Sequence, residues 1–338
     1  MPGYRIGLMG GTTLLGKELT GLLRDRRFPA LPVRLFELPA RTGGKPNGAE
    51  ATQAAMTGRL VDLGDEAAIQ EELGPQALND LQVLFLAGTG AEVNAAWHLA
   101  RGAAALVVDL TGSLASEPEA VCVGLDPAVP AGSRLLAVAH PAAQALAHLF
   151  ERLRQVAAIA AATVTVFEPA SERGWAGIQE LEQQSVKALG LQQLPNNVVG
   201  AQVAFNLRPE LGSGVAPSLD AVRGQIVADL ACLGEAAPPL SLLQAPLFHG
   251  TALLMWLRHQ VAAPLAAVDA SLNSPWLARP ENGTEADLLA TAGDERIQLS
   301  APRADAAGGL WLFATLDNLR RRAACALDAA GAALRSRH

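Results

Sequence analysis

Residues 4–16 read YRIGLMGGTTLLG, and this stretch decides the fold. The apolar run from Tyr4 to Met9 predicts a strand, glycines then form a turn, and leucines at helical spacing from Leu15 onward predict a helix. In such a strand–turn–helix unit the backbone N–H groups and the helix dipole can hold a pyrophosphate. A tight turn in any α/β protein would give the same pattern, so the turn alone is weak evidence for a ligand.

The same alternation continues through the first third of the chain. Further strands are predicted at 33–36, 83–87 and 105–110, with a helix at 91–101 between the last two. Strands that alternate with helices at this spacing favour parallel βαβ units joined by right-handed crossovers. The sequence therefore predicts an N-terminal Rossmann-like domain of the α/β class.

The pattern changes after about residue 132. A helix is predicted at 141–153, a long strand at 159–168, shorter strands at 242–248, 254–259 and 297–299, and a final amphipathic helix at 316–334. Long strands separated by loops and a few helices favour an α+β domain with a mixed or antiparallel sheet. A second domain is therefore predicted beyond the first.

Composition excludes several classes of protein. The 338-residue chain is 50% hydrophobic and 17% charged, which excludes a disordered chain. A net charge of −7 without a Lys/Arg run argues against a nucleic-acid partner, and no apolar run is long enough for a membrane span. Because Cys122, Cys232 and Cys325 lie far apart, without histidines at metal-ligand spacing, we expect no disulfide framework, no metal site and a cytoplasmic location.

The residues after the second strand bear on the cofactor. Glu37, about twenty residues past the turn, is placed to accept a hydrogen bond from a ribose 2′-hydroxyl, whereas Arg41 and Thr42 are placed to bind a 2′-phosphate. A solvated loop charge is an equally good interpretation of Arg41. From these residues alone, both NAD and NADP remain open.

Several separated motifs resemble those of the aspartate-semialdehyde dehydrogenase family, over nearly the whole chain. The resembling segments are GGTTLLG at 10–16, RRFPALPVRLF at 26–36, RTGGK at 41–45, FLAGTG at 85–90, VVDLTGSL at 107–114, QVAFNLRPELG at 202–212 and LDNLRRRAA at 316–324. The first is similar to the Gly-x-x-Gly-x-x-Gly turn of that family, with Thr13 at the middle glycine. RTGGK is similar to the family's 2′-phosphate loop.

The resemblance implies an NADP-binding Rossmann domain, a central catalytic and dimerisation domain, and a C-terminal helix that returns to the first domain. On that basis we expect residues 1–131 with 314–338 to form the NAD(P)-binding domain, and residues 132–313 to form the dimerisation domain of a homodimer. The resemblance also implies the residues that would contact NADP, which are Gly10, Thr12, Thr13, Leu14, Leu15, Gly16, Arg41, Thr42, Gly88 and Asn318.

In that family a cysteine thiolate attacks the aldehyde carbon, a hydride passes to NADP, and phosphate then cleaves the thioester. The chain departs from the family at the residues for this chemistry. By resemblance, Ala143 stands for the nucleophilic cysteine, Thr251 for the general-base histidine, Glu168 for a glutamine, Gln244 for the substrate-carboxylate arginine and Ala115 for the phosphate-binding arginine. A methyl group cannot attack a carbonyl carbon, and each of the three cysteines is expected to be a small buried hydrophobe.

These losses together predict a catalytically silent relative that keeps the scaffold, similar to the Usg-type homologues. Two alternatives stay open. One is an active NADP-dependent oxidoreductase with altered chemistry that uses His140 or His249 as its base, since residues 249 and 251 would share one face of a strand. The other is a ligand-free scaffolding dimer, because Thr13 and Arg322 stand where the family has glycine and would narrow the cofactor pocket.

Overall fold

The structure, a computed structural model, describes residues 3–39, 59–62, 67–280 and 285–336. Arg41 and Thr42 lie outside the described residues. The chain divides into two units, Met1–Ala139 with Arg322–His338, and His140–Arg321. These boundaries lie later in the chain than the predicted ones, because the last strand of each sheet extends to Val138 and to Leu316.

The first unit is built on an eight-stranded sheet. Its strands are β1 (Ile6–Met9), β2 (Arg34–Glu37), β3 (Arg59–Asp62), β4 (Ala67–Glu72), β5 (Val83–Leu86), β6 (Leu106–Asp109), β7 (Ala120–Val123) and β8 (Leu135–Val138). The spatial order is β3-β4-β2-β1-β5-β6-β8-β7, and every pairing is parallel except that of β3 with β4. Strands β1, β5, β6 and β8 are buried at every residue, as expected for a parallel sheet covered on both faces.

The helices of this unit follow the strands as βαβ units require. They are α1 (Leu14–Asp25), α2 (Pro75–Asp80) and α3 (Gly90–Ala100). The core between sheet and helices contains Phe36, Leu84 and Trp97, all at most 2% exposed. The predicted Rossmann-like α/β domain is therefore confirmed.

The second unit contains a mixed sheet with an α-helical layer. Its strands are β9 (Ile159–Glu168), β10 (Leu240–Gln244), β11 (Thr251–His259), β12 (Leu277–Ala278), β13 (Ile297–Leu299), β14 (Arg303–Ala304) and β15 (Leu310–Leu316). The order is β10-β9-β11-β15-β13-β12, with β14 beside β15. Strand β9 is parallel to β10 and antiparallel to β11, which confirms the predicted mixed sheet.

The helices of the second unit lie between these strands in the chain. They are α4 (Pro141–Arg154), α5 (Gly174–Leu189), α6 (Leu219–Cys232), α7 (Leu265–Ser271) and α8 (Leu288–Thr291), with a 3-10 turn at Ala170–Arg173 before α5. Helix α4 packs against β9 and β11, and α6 packs against β10. These contacts cover one face of the sheet.

The terminal helix α9 (Asn318–Arg335) begins in the second unit and continues in the first from Arg322, which confirms the predicted return of the chain. Its buried side is made largely of alanines, which allow close approach to the sheet. The Cys325 thiol lies 3.1 Å from the carbonyl oxygen of Gly124 and donates to it.

Three expectations about local structure were wrong or incomplete. The strand predicted at 242–248 ends at Gln244, because Pro246 cannot donate to a ladder. Strands β3, β4, β7, β8, β12, β14 and β15 were missed, and all of these except β4 and β15 are at most four residues long. Of the cysteines only Cys325 is buried, whereas Cys122 is half-buried and Cys232, the last residue of α6, is exposed. No helix within the described ranges is both long enough and apolar enough to span a bilayer.

Candidate functional site

The turn between β1 and α1 has room only for glycine at two positions. Gly10 has φ +84°, and a Cβ there would lie 2.6 Å from the amide nitrogen of Gly88. A Cβ on Gly16 would lie 2.2 Å from the carbonyl oxygen of Gly10. Both distances are too short for any side chain, so the turn itself requires these two glycines whatever it binds.

Thr13 serves as the N-cap of α1. Its hydroxyl oxygen accepts from the Gly16 N–H at 3.0 Å and lies 2.8 Å and 2.9 Å from the carbonyl oxygens of Gly10 and Ala87. Thr13 therefore joins the turn to the end of β5 by hydrogen bonds. Among the described residues, the N–H groups of Thr12, Leu14 and Leu15 find no acceptor, so this helix N-terminus is open to an anion.

The start of α3, near Gly88, is different because a carboxylate already occupies it. Glu92 accepts from the Thr89 N–H at 2.7 Å, and the Thr89 hydroxyl accepts from the Glu92 N–H at 3.4 Å, which is a capping box. Like charge would repel a phosphate here. Of these two helix starts, only that of α3 carries an acidic residue in its first turn.

Two further predicted positions lie in the first unit. Ala115 belongs to a turn in which its N–H bonds the Gly112 carbonyl oxygen at 3.1 Å. Arg322 lies near the fully buried Asp109. Burial raises the pKa of Asp109, although hydrogen bonds from Thr111 and Leu114 and the charge of Arg322 act to lower it.

In the second unit, three of the predicted catalytic-type positions form one row across the end of the sheet. Gln244 on β10 pairs in register with Glu168 on β9. Ala252 pairs with Phe167, so Thr251 lies beside Glu168 on the next strand. Directly paired residues project from the same face, and all three of these side chains are at most 2% exposed. This set of Gln244, Glu168 and Thr251 is called the polar row below.

The N-terminus of helix α4 brings His140 to the polar row. His140 is the N-cap, and its Nδ1 accepts from the Ala142 N–H at 3.2 Å. Its Nε2 lies 3.5 Å from Glu168 Oε1. With Nδ1 as acceptor, the hydrogen bonds assign the ring proton to Nε2, facing the carboxylate. Ala143 lies in the first turn of the helix and is fully buried.

An arginine approaches the polar row from the turn before α5. The Gln244 amide nitrogen donates to the Glu168 carbonyl oxygen at 2.9 Å, and Arg173 Nε donates to the Gln244 amide oxygen at 3.2 Å. Burial lowers the pKa of the Arg173 guanidinium, against the opposing charges of Glu168 and Glu172. A guanidinium therefore reaches position 244 although the residue there is neutral.

Asn318 joins two other segments within the second unit. Its amide oxygen accepts from the Gly250 N–H at 3.1 Å, and its amide nitrogen donates to Glu172 Oε1 at 2.7 Å and lies 3.2 Å from Ser171 Oγ. These bonds use the side chain inside the protein. Its predicted contact with NADP stays a prediction.

His249 lies before the strand and not in it, so the alternation that would put it on one face with Thr251 does not apply. Strand β11 begins only at Thr251, and Gly250 before it has φ +82°. His249 is one-third exposed, and its Nε2 lies 2.9 Å from Asp317 Oδ1. Burial acts to raise the pKa of Asp317, but the hydrogen bond and charge of His249, with two backbone donors, hold that pKa below its usual value.

One set of side chains among the described residues has the composition of a metal site. The ligand atoms of His140, Glu168 and Glu172 lie within 4.8 Å of one another. A metal-bound histidine donates its second ring N–H to an acceptor, whereas the second nitrogen of His140 accepts from Ala142. The cationic Arg173 also lies nearby. The set of His140, Glu168 and Glu172 therefore suits a proton held on the imidazole and does not fit a metal ion.

The comparisons with known proteins bear on the fold of the whole chain. No protein-family model matches the chain. A USG-1 protein homolog of Pseudomonas aeruginosa is 28% identical over 341 residues, which cover 94% of each chain. A probable aspartate-semialdehyde dehydrogenase from Pseudomonas aeruginosa has a similar structure, with a TM-score of 0.81, 23% identity and 97% of both chains covered. The chain has the aspartate-semialdehyde dehydrogenase fold.

Two other structures extend the comparison. Aspartate-semialdehyde dehydrogenase II from Vibrio cholerae gives a TM-score of 0.80 at 17% identity, over 98% of this chain and 99% of that one. The enzyme from Candida albicans, solved with NADP, gives 0.67 at 14% identity, over 99% of each chain. On this aspartate-semialdehyde dehydrogenase fold, sequence reasoning named the three residues of the polar row one by one but missed Arg173, since no motif marks its approach to Gln244.

The Thr251 hydroxyl is the simplest feature of the polar row to test. Its oxygen is buried and makes no hydrogen bond with any described residue. Thr251→Val keeps the shape and removes an unsatisfied polar group, so we expect it to raise the free energy of unfolding by roughly 1 kcal/mol or more. Urea unfolding measures the change.

The matched control is Thr315→Val in the same sheet. The Thr315 hydroxyl is also fully buried but lies 2.8 Å from that of Thr291. This variant should lower the free energy of unfolding by roughly 1 kcal/mol or more. Destabilisation by both substitutions to a similar extent would mean that Thr251 has a partner.

Proposed function

We propose that the chain is a catalytically silent relative of the aspartate-semialdehyde dehydrogenases that keeps a dinucleotide site and has lost thiol chemistry. Ala143 carries the proposal. It lies in the first turn of α4, three residues after the His140 whose imidazole approaches Glu168, at the position that resembles the family's nucleophilic cysteine. The second unit contains one cysteine, the exposed Cys232 at the end of α6.

The other positions at which the chain departs from the family support the loss of the whole reaction. A helix N-terminus stabilises a thiolate, but a methyl group has nothing to ionise. Thr251 cannot take a proton near neutral pH, and Gln244 carries no charge to hold a substrate carboxylate. Loss of a nucleophile alone costs on the order of 10⁴ to 10⁶ in kcat, because the members of a catalytic unit act together.

We expect no phosphate-dependent reduction of NADP when the protein is mixed with aspartate semialdehyde. Ala143→Cys alone should not restore it, since Thr251 and Gln244 still lack the proton acceptor and the charge. Absorbance at the nicotinamide band measures the rate. Turnover by the natural chain that His140→Ala abolishes and His249→Ala leaves intact would favour the altered oxidoreductase, with the His140–Glu168 pair as its acid–base group.

The cofactor part of the proposal is NADP binding by the first unit. The free N–H groups of Thr12, Leu14 and Leu15 would hold the pyrophosphate, and Arg41 with Thr42 would meet the 2′-phosphate. A similar fold from Candida albicans was solved with NADP. Bound NADP would supply a hydride acceptor. The matching hydride donor is missing, because without the cysteine this chain cannot form a thiohemiacetal.

Thr12→Glu tests that site without removing a structural contact. Thr12 is exposed, and an added carboxylate beside the α1 N-terminus should repel the pyrophosphate while leaving thermal stability unchanged or slightly higher. We expect at least a tenfold weaker affinity for NADP by calorimetry, with Thr12→Gln as the neutral control. Absence of any NADP binding by the natural chain would favour the ligand-free scaffold.

We also propose that the second unit forms a homodimer through the sheet face opposite α4. That face carries a row of apolar cross-strand pairs, in which Trp256 faces Trp311 and Leu254 faces Phe313. Trp311 is 41% exposed. A large apolar face on a regular sheet suits a second copy of itself, because a two-fold interface joins one patch to its equivalent. The interface and a cytoplasmic location are both part of this proposal.

Trp311→Glu should convert the dimer to a monomer. The substitution places a charge in the centre of the apolar face, and a buried unpaired charge is strongly unfavourable. Sedimentation velocity measures the mass. Trp175→Glu, at a residue of α5 that is 46% exposed, should leave the dimer intact. A monomeric natural chain, or an unchanged mass for Trp311→Glu, would contradict the assignment of the face.

A further inference from the structure

Arg208 extends the polar row at the edge of the sheet. Its backbone N–H donates to the Gln244 backbone carbonyl oxygen at 3.0 Å, and the Gln244 backbone N–H donates to the Arg208 backbone carbonyl oxygen at 2.9 Å. This is a directly paired antiparallel bridge. Side chains of such a pair project from the same face, so the half-buried Arg208 leaves the backbone on the face that carries Gln244 and Glu168.

The guanidinium of Arg208 has no acceptor within the described part of the chain. Its Nε is buried without a hydrogen bond, and no described carboxylate lies within ion-pair distance. The neighbouring Gln244 amide is already bonded at both ends, by Arg173 and by the Glu168 carbonyl. A buried N–H of a charged group without a partner is costly, and its presence calls for an explanation.

Charges around the polar row leave Arg208 uncompensated. Glu168 and Glu172 lie close enough to Arg173 to act on its pKa, so they balance its charge. Arg208 has no corresponding carboxylate. Two arginines therefore flank the neutral Gln244, Arg173 through a side-chain hydrogen bond and Arg208 through the backbone bridge, and only Arg173 has carboxylates acting on its charge.

The segment that carries Arg208 is held in place before any ligand arrives. The buried Gln184 side chain accepts from the N–H groups of Val203 and Ala204 and donates to the carbonyl oxygens of Pro195 and Ala201. Phe205 then has φ +59°, a left-handed conformation that is strained for a bulky residue. Strain of this kind persists only where the surrounding structure fixes the backbone, and it clusters at functional positions.

We propose that Arg208, together with Gln244 and Arg173, forms a subsite for a small oxyanion, namely a carboxylate or a phosphate group. A planar guanidinium binds either group through two parallel hydrogen bonds. The subsite requires neither Ala143 nor the α1 turn, so it goes beyond the silent-relative proposal. It also places a cationic group at the edge of the polar row, next to the position where the chain has a neutral glutamine.

Thermal unfolding in sodium phosphate and in sodium acetate, each against sodium chloride of equal ionic strength and without NADP, tests the subsite. We expect at least one of the two anions to raise the Tm of the natural chain by roughly 2–4 °C at saturating concentration. The phosphate and acetate arms decide which oxyanion fits. Arg208→Gln should remove the shift, and Arg208→Lys, which keeps the charge but loses the paired hydrogen bonds, should reduce it.

Arg223→Gln is the matched control, because Arg223 is an exposed arginine of α6 that already pairs with Asp220 at 2.8 Å. Its Tm shift should equal that of the natural chain. NADP affinity should be the same in Arg208→Gln as in the natural chain, which separates this proposal from the cofactor proposal. No anion-specific shift in the natural chain, or an equal shift in Arg208→Gln, would overturn it.

Discussion

The approach of His140 to Glu168 is the contact on which the second unit's site depends. His140 begins α4 and Glu168 ends β9, so the 3.5 Å separation of their side chains ties the first helical turn to the end of the sheet. Buried ionisable groups persist only when they are paired and hydrogen-bonded. Here the imidazole Nδ1 accepts from the Ala142 N–H at 3.2 Å, while the backbone of the pair is held by Asp229, which accepts from the His140 backbone N–H at 2.7 Å, and by Gln244, whose amide donates to the Glu168 backbone carbonyl oxygen at 2.9 Å. An acid–imidazole pair thus organises the start of α4, the helix whose first turn contains Ala143.

The two units differ in what the fold itself requires. Gly10 and Gly16 are fixed by contacts of 2.6 and 2.2 Å that any Cβ would make, so their presence follows from the turn and does not by itself argue for a cofactor. The argument for an anion at this turn comes from the unpaired N–H groups of α1 and their contrast with the start of α3, which Glu92 already occupies. In the second unit the scaffold requires no thiol at position 143, where alanine packs without exposure.

Sequence patterns were most informative where local periodicity decides the structure. Strand β9 and strand β13 have the predicted bounds, and the glycine turn and the returning helix were also identified. Cross-strand register depends on long-range pairing, so the alignment of Gln244, Glu168 and Thr251 in one row could not be derived from the chain alone. The expectation for His249 failed because Gly250 delays the start of β11, and that glycine was the available signal. Arg208 lies in the QVAFNLRPELG segment, but its pairing with Gln244 depends on the folded structure and could not be predicted from that segment.

The intact mass of the protein after mixing with aspartate semialdehyde and NADP tests the central claim most directly. Acid quenching during the reaction preserves a thioester if one has formed. Because Ala143 offers no nucleophile, the account predicts the unmodified mass at every time point. A mass increase equal to the acyl group, mapped to any residue of the second unit, would contradict it.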